Sequence, residues 1–524
     1  MMLNPTIKLI LTTIIAIVCF TKGSCQTETD SLITKNYNSN EVLKGSIFDA
    51  NDKSSLPYAN IILLSKNKGV ISNEVGHFSI NISNCLETDT IRISYIGYQT
   101  QDLSIKDLKD SSVIYLREDN LMLNNITLFG NTIDPESIVK KVLENKNNNY
   151  GETNSKKQIF LRNRYTNHMN ELNFRCKKSN FSNLDKELIK VLEQEIPKHS
   201  ISYIDFLGDV YLLQEEEDSV ALKINPIKII ELEEKSDLTK LGELEKTFKE
   251  VFNNINENEY WKIKSGIIGS KVHVDENSVS VSVGGGSETE KTDSLTANNP
   301  KDPFRSEKWS ITNLVRFASF EDERKWDFLY NTNKYEYSLS GATVANGEEV
   351  YIIDFEPNKK GTFVGRMYIA METYAIVRID YKYDTGKMGM DMQLFGIGYT
   401  ENKFNASMYF EKKENQYQLK YCSKIESSTI SINRSIALQK KRERFLFDKK
   451  LKEIKIGISL IADNESSKEM LVLEEDPINQ DQFNDFEENE NVDIIYVEQF
   501  NEDLWKGYSI IEPTKQMKDY KKIN

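Results

Sequence analysis

The chain has 524 residues, 39% hydrophobic and 28% charged, with a formal charge of −14. That length and apolar share suit two or more globular domains and exclude a disordered or fibrous chain. The acidic balance repels phosphate backbones and sets nucleic acid aside as a partner.

Residues 1–25 read as an export leader. Lys8 precedes an apolar run from Leu9 to Phe20, and the exit runs Thr21-Lys22-Gly23-Ser24-Cys25-Gln26. The run is shorter than the about 20 residues a membrane span needs. No later segment approaches that length, so no transmembrane helix is expected in the mature chain. Gly23 and Cys25 are small enough for ordinary cleavage before Gln26. Alternatively Cys25 is itself lipidated and tethers the protein to a membrane. Lys22-Gly23-Ser24 lacks the aliphatic residue that lipoprotein processing prefers, whereas the acidic stretch Gln26–Asp30 resembles a lipoprotein tether; both exits stay open. Beyond Cys19 and Cys25, only Cys85, Cys176 and Cys422 remain. Three widely spaced thiols make no disulfide framework, so stability must come from burial.

Residues 26–42 are polar and read as a tether. Residues 43–130 have the texture of short strands and turns. Asn73 and Gly76 suit the first and last positions of a type I turn. Phe78, Ile80 and Ile82 then alternate with Ser79, Asn81 and Ser83, one face buried and one wet. Ile91, Ile93 and Tyr95 alternate in the same way. Within 131–150, Pro135 opens a connecting helix with Ile138, Val139, Val142 and Leu143 on one stripe.

Residues 151–513 read as an α+β domain. Gln158–Tyr165 and Ile201–Leu213 are strand-like, while Leu184–Ile196 and Leu238–Ile255 carry helical spacing. Residues 284–308 read as a Gly-rich mobile loop. From Tyr335 to about Leu460, strands separated by Gly341, Asn346-Gly347, Gly361 and Thr385-Gly386 form an antiparallel meander. Residues 474–491 are expected to be a solvated acidic loop. The segment from Leu504 to Pro513 is expected to pack back on the sheet, with 514–524 as a tail. Tyr335, Tyr337, Tyr351, Tyr368, Tyr374, Tyr381 and Tyr383 cluster in the meander; they read either as an aromatic face for glycan, peptide or lipid or, more simply, as tyrosine fitting a half-buried pleated surface.

The ordered set Gly45–Asp49, Leu56–Ile61, Gly69–Ile80 and Ile91–Tyr98 resembles the carboxypeptidase regulatory-like domain. The resemblance implies a transthyretin-like or Ig-like sandwich of seven strands that packs or docks and has no catalytic residues of its own. The region after it resembles the uncharacterised partner region of flavobacterial envelope proteins, which brings no known site. No plug or barrel strands follow the sandwich, which excludes an outer-membrane receptor.

Only one constellation suggests metal chemistry. His168-Met169-Asn170-Glu171 is an H-x-x-E, and His273 lies downstream, the ligand types a zinc carboxypeptidase would use with water in an open position. The motif lacks its usual glycine lead-in, and no Asn-Arg pair for a substrate carboxylate lies between the ligands. Two surface histidines near unrelated acids are the simpler account. No G-x-S-x-G, P-loop, G-x-G-x-x-G or C-x-x-C occurs.

The expectation is therefore a mainly β protein, a seven-stranded sandwich followed by a large twisted antiparallel sheet with packed helices. Its expected function is non-catalytic and cofactor-free: an exported envelope module, periplasmic or outer-membrane associated, docking a protein or surface component. The alternatives are a half-barrel that cups a lipid or lipoprotein tail, and a zinc hydrolase using His168, Glu171 and His273.

Overall fold

The computed structural model describes residues 41–520, except 120–133, 151–153, 234–255, 283–303 and the positions 67, 183, 217–218, 257, 267, 276–277, 346, 446 and 490–491. The leader, Cys25, the expected helix at 238–255 and the triple glycine at 284–286 lie outside the described residues.

Among the described residues seven strands build the sandwich: β1 (Val42–Asp49), β2 (Asn60–Leu63), β3 (Lys68–Ile71), β4 (His77–Asn81), β5 (Thr90–Ser94), β6 (Gln101–Ser104) and β7 (Val113–Leu116). They form two sheets, ordered β4-β1-β7 and β3-β2-β5-β6. The period-2 pattern decides what lies between them: Leu43, Ile47, Phe78, Ile80, Ile91 and Ile93 are all buried, each such side chain contributing roughly 1.5–3 kcal/mol of burial. The turn before β4 forms as its residues dictate. Gly76 N–H donates to the Asn73 carbonyl at 3.0 Å, and the Asn73 side-chain oxygen accepts from Val75 and His77 N–H at 3.1 and 3.0 Å. Gly76 adopts φ +81°, and a Cβ there would lie 2.6 Å from the Ile47 carbonyl oxygen. An unexpected helix, α1 (Ile105–Asp110), follows β6 behind a Ser104/Asp107 capping box.

Asp134 caps α2 (Pro135–Glu144), which buries Ile138, Val139 and Val142. Next come β8 (Ser155–Ser179), α3 (Lys186–Glu195), β9 (His199–Glu216) and β10 (Ser219–Glu233), then a side branch of β11 (Glu259–Ser265), β12 (Ile268–Asp275) and β13 (Ser278–Ser282). Helix α4 (Arg305–Ala318) precedes β14 (Tyr335–Ala345), β15 (Glu348–Pro357), β16 (Phe363–Ala370), β17 (Ile376–Tyr383) and β18 (Asp391–Leu394). The chain continues through β19 (Ile397–Lys413), β20 (Gln416–Arg442), β21 (Lys449–Pro477) and β22 (Ile494–Val497). The main path of the sheet runs β14-β15-β16-β17-β19-β20-β21-β8-β9-β10-β22, with β11 pairing to β20. Its pairings are antiparallel except at one end, where β22 joins β10 in parallel; the sheet is mixed rather than purely antiparallel.

Register assigns the two faces of the sheet. Lys468, Ser466, Asn464, Ala462 and Leu460 alternate along β21 onto a front face, opposite Lys424, Glu426, Ser428, Ile430 and Ile432 of β20. Lys468 Nζ donates to Ser310 Oγ of α4 at 3.3 Å, and Asn163 of β8 donates to the same hydroxyl at 3.4 Å. Helix α4 therefore lies on the front. Beside it Trp326 and Phe328 are fully buried. Trp326 Nε1–H donates to the Phe317 carbonyl at 2.9 Å, and Phe328 stacks on Phe355 at 4.3 Å.

The back face carries the sandwich. Tyr421 of β20 stacks on Tyr58 with ring centroids 5.1 Å apart. The segment after β22 threads between the two units, as expected for Leu504–Pro513. Trp505 packs edge-on to Phe160 at 5.4 Å, Ile510 bridges to Ser79, and Asn73 Nδ2 donates to the Glu512 carbonyl at 3.0 Å.

Three loop expectations are corrected. Arg305–Lys308 is not loop but the first turn of α4. The acidic stretch 474–491 begins as the end of β21, where Glu475 meets Lys157 at 2.9 Å. It goes on to a helix, Gln480–Asp485, held by an Asn479/Gln482 capping box. Glu488 then accepts from Ile224 N–H and pairs with Lys308, both at 2.7 Å. The tail at 514–524 includes a helical turn, Lys515–Lys518, capped by Thr514 and burying Met517.

Candidate functional site

The front face holds a pocket of about 210 Å³ between β8, β17, β19, β20 and β21, with Tyr165, Lys325, Tyr383, Tyr399, Glu401 and Glu426 among its walls. Each strand residue is placed there by alternation: Tyr165 sits opposite Ser466, Glu426 opposite Ser466 on the other side, and Tyr399 opposite Ile430. Lys325 arrives from the loop ahead of Trp326. Its ammonium lies 3.4 Å from Glu426, 3.7 Å from Glu401 and 4.5 Å from the centre of the Phe404 ring.

Three lysines converge at this end of the face. Lys424 pairs with Glu426 at 3.1 Å, and Lys424 and Lys468 face one another directly across the β20–β21 ladder. Like charges in directly opposed positions repel. Burial, and next the charge of Lys424, push the Lys468 ammonium down to about 8. Burial also pushes the Glu426 carboxyl up, but Lys424 and Lys325 outweigh it and hold the group below its ordinary range.

Toward the far end of the strands the same face turns apolar. Ile397, Ile432, Leu460 and Ala462 form a buried cluster, with Tyr399, Ile430, Met169 and Leu172 packed against it. Tyr399 belongs to both the pocket wall and this cluster. The walls of the pocket itself are charged, phenolic and polar, and Tyr399 is where it adjoins this apolar cluster.

The structure does not bring the zinc candidates together. His168 is opposite Asp463 on β21, and its ring neighbours that of His199 at 5.8 Å. Glu171 accepts a hydrogen bond from Ser459. His273 lies on β12, whose neighbour β11 joins β20 at residues 436–442. Asp463 meets β20 at Thr429. The two rows are about a dozen strand residues apart, on the order of 40 Å along the ladder at ~3.3 Å per residue. Among the described residues no group of three His, Cys, Asp or Glu side chains is placed to hold a metal.

Beneath the sandwich, the back face buries a second charged group. Arg162 grips Asp205 with two hydrogen bonds of 2.8 and 2.7 Å and donates a third, 3.0 Å, to the Ile511 carbonyl. Tyr421 O–H donates to Glu469 at 2.9 Å, and burial raises the Glu469 carboxyl above its ordinary range despite Arg162. Planar, bidentate pairing is what makes a buried ion pair tolerable. This network joins sheet, strap and sandwich and is structural.

Sequence reasoning missed the pocket because its walls come from strands far apart in the chain. Lys325, inside the charged run Asp322-Glu323-Arg324-Lys325, reads as solvated surface.

A sandwich fixed to the back of an open sheet, with a charged and phenolic pocket on the front, fits the class of a binding module. Residues 43–128 match the family model of the CarboxypepD_reg-like domain, and this part of the chain is such a domain. A search of curated protein sequences finds no match. Among solved structures, the chain is similar to a putative outer membrane lipoprotein-sorting protein domain from Vibrio parahaemolyticus. That similarity has 10% identity and a TM-score of 0.22, covering 67% of this chain and 97% of that one. It is also similar to MucB in complex with MucA(peri), at 8% identity and TM-score 0.17, covering 62% and 94%. The Pseudomonas aeruginosa MucA/MucB complex matches at 6% and 0.15, covering 63% and 94%. Superpositions this loose carry no argument about function. No helix among the described residues is long and apolar enough to cross a membrane.

Proposed function

We propose that this chain is a non-catalytic, exported binding module of the cell envelope, and that its large sheet holds the apolar tail of an amphipathic ligand, a lipid or the lipid-bearing end of an envelope protein. One observation carries the reading: the front-face pocket of Lys325, Glu426 and three tyrosines adjoins, through Tyr399, the half-buried apolar residues Ile430, Met169 and Leu172 that pack over the Ile397–Ile432–Leu460 cluster. A polar head and an aliphatic tail would each meet matching surface, as ligand sites with a few placed polar groups and apolar walls generally provide. The CarboxypepD_reg-like domain on the opposite face leaves this pocket uncovered and is available for packing or docking.

The test is to purify the full chain from its own envelope and extract it with organic solvent for mass spectrometry. About one acyl-bearing molecule per chain is expected, with Lys403→Ala, at the polar wall of the pocket, lowering that ratio in a variant whose urea midpoint is followed alongside. Ligand-free wild-type protein that also fails to bind a fluorescent fatty acid would sink the lipid reading. Recovery of a lipid-free protein partner instead would keep the binding module and remove its lipid.

A further inference from the structure

A second cavity, of about 80 Å³, lies where the sandwich meets the back of the sheet, and is lined from both units. The sandwich contributes Tyr58, Asn60, Tyr95 and Tyr98; the sheet contributes Arg378 and Tyr409. At roughly 10–15 Å³ of such space per water it would hold several waters, so it is a site-sized void and not a packing defect.

Its chemistry is unusual for a domain joint. Asn60 is 3% exposed, and both its side-chain oxygen and its side-chain nitrogen lack a hydrogen-bond partner. A buried carboxamide left unpaired costs about 1–3 kcal/mol, so two orphaned atoms on one residue call for an occupant that both donates and accepts. Arg378 is nearly buried; its Nε donates to Asp380 at 2.8 Å and its guanidinium lies over the Tyr95 ring at 5.1 Å. The Asp380 carboxylate already answers the arginine charge, and Asp119 adds a second negative group to the wall, which disfavours an anion. Exposed Thr100 and Gly347 line the same cavity, giving it a side toward solvent.

We infer that this joint cavity is a binding site for a small uncharged polyhydroxylated molecule, a single sugar ring. Hydroxyl groups both donate and accept, as the Asn60 amide requires, and the tyrosines among the walls add aromatic surface that suits the C–H groups of a sugar ring. Because the walls come from both units, occupation would also tighten their contact. The site is distinct from the front-face pocket, so the two proposals stand or fall separately.

The full chain is titrated with a panel of neutral monosaccharides by calorimetry and by ligand-observed NMR, and its melting temperature is followed as sugar is added. At least one sugar is expected to bind and to raise the melting temperature by mass action. Asn60→Ala should weaken binding by roughly tenfold or more, the worth of losing its hydrogen bonds. Thr100→Trp, at an exposed position, should obstruct the cavity and abolish binding with the unliganded melting temperature unchanged; this variant keeps the test clean if Asn60→Ala folds poorly. No binding by any sugar of the panel at tens of millimolar would overturn the inference. So would binding that survives Thr100→Trp, or a crystal structure grown with sugar in which only ordered waters complete the Asn60 hydrogen bonds.

Discussion

Replacing Lys468 with methionine should stabilise this protein. Lys468 is almost fully buried on the front face, directly opposite Lys424, with its ammonium pushed from 10.5 down to about 8 by burial and then by that neighbour. At about 1.36 kcal/mol per pH unit, that gap means the charged form costs the fold on the order of 3 kcal/mol at neutral pH. Methionine keeps the apolar stem and drops the charge. What it gives up is the 3.3 Å bond to Ser310 and the ammonium's place over the Trp309 ring at 4.1 Å, together on the order of 1–2 kcal/mol. The expected balance is a gain of roughly 1–2 kcal/mol. The sign with pH follows from the depressed value. Between about 8 and 10.5 the unfolded chain holds a proton that the folded one has released, so wild-type stability rises with pH across that window and is flat below it. The advantage of Lys468→Met should therefore be full at pH 7 and fade toward pH 10. Urea midpoints at pH 7 and 9.5 measure it. A variant less stable than wild type at pH 7, or an advantage that does not change with pH, would refute the argument.

Three further outcomes are expected. Gly76→Val should lower the melting temperature markedly, since its Cβ would sit 2.6 Å from the Ile47 carbonyl at φ +81°, and a left-handed β-branched residue alone costs about 1–2 kcal/mol; an unchanged melting curve would mean the turn is not as described. Arg162→Met should cost about 3–5 kcal/mol, because it strands the Asp205 carboxylate beneath the sandwich, and the double variant Arg162→Met/Asp205→Leu should recover much of that loss in the same denaturation assay. His168→Ala, Glu171→Ala and His273→Ala should each leave urea midpoints nearly unchanged, and elemental analysis of the purified protein should find no stoichiometric zinc; tightly held zinc lost on His168→Ala would reverse this.

The sandwich was legible because its strands are short and half-wet, so alternation in Phe78–Ser83 or Ile91–Tyr95 shows directly which face is inside. The large sheet was legible in class and not in extent. Tyr417–Ile425 announces a strand, yet β20 runs from Gln416 to Arg442, and its continuation through Ser427, Ser428 and Thr429 carries none of the apolar signal that marks a core strand. Strands this long outrun the core that their sequence advertises, and pairing with β21 along nearly the whole length sustains them. The acidic stretch misled for a related reason: Glu475 and Glu488 look solvated until Lys157 and Lys308 arrive from distant parts of the chain. The pocket was hidden in the same way, since Tyr165, Lys325 and Glu426 become neighbours only through the register of five strands.

The strap between sandwich and sheet has a consequence for how the molecule is completed. Trp505, Ile510 and Glu512 fill the joint, and the Ile511 carbonyl takes the third hydrogen bond of Arg162. These residues lie far along the chain from the sandwich they secure and are made well after it. A chain cut short before residue 501 would carry a finished sandwich with nothing to seal it to its partner, exposing Phe160 and leaving Asn73 and Arg162 short of acceptors. Such a fragment would be an easy substrate for proteases, so that the joint itself distinguishes finished copies from broken ones.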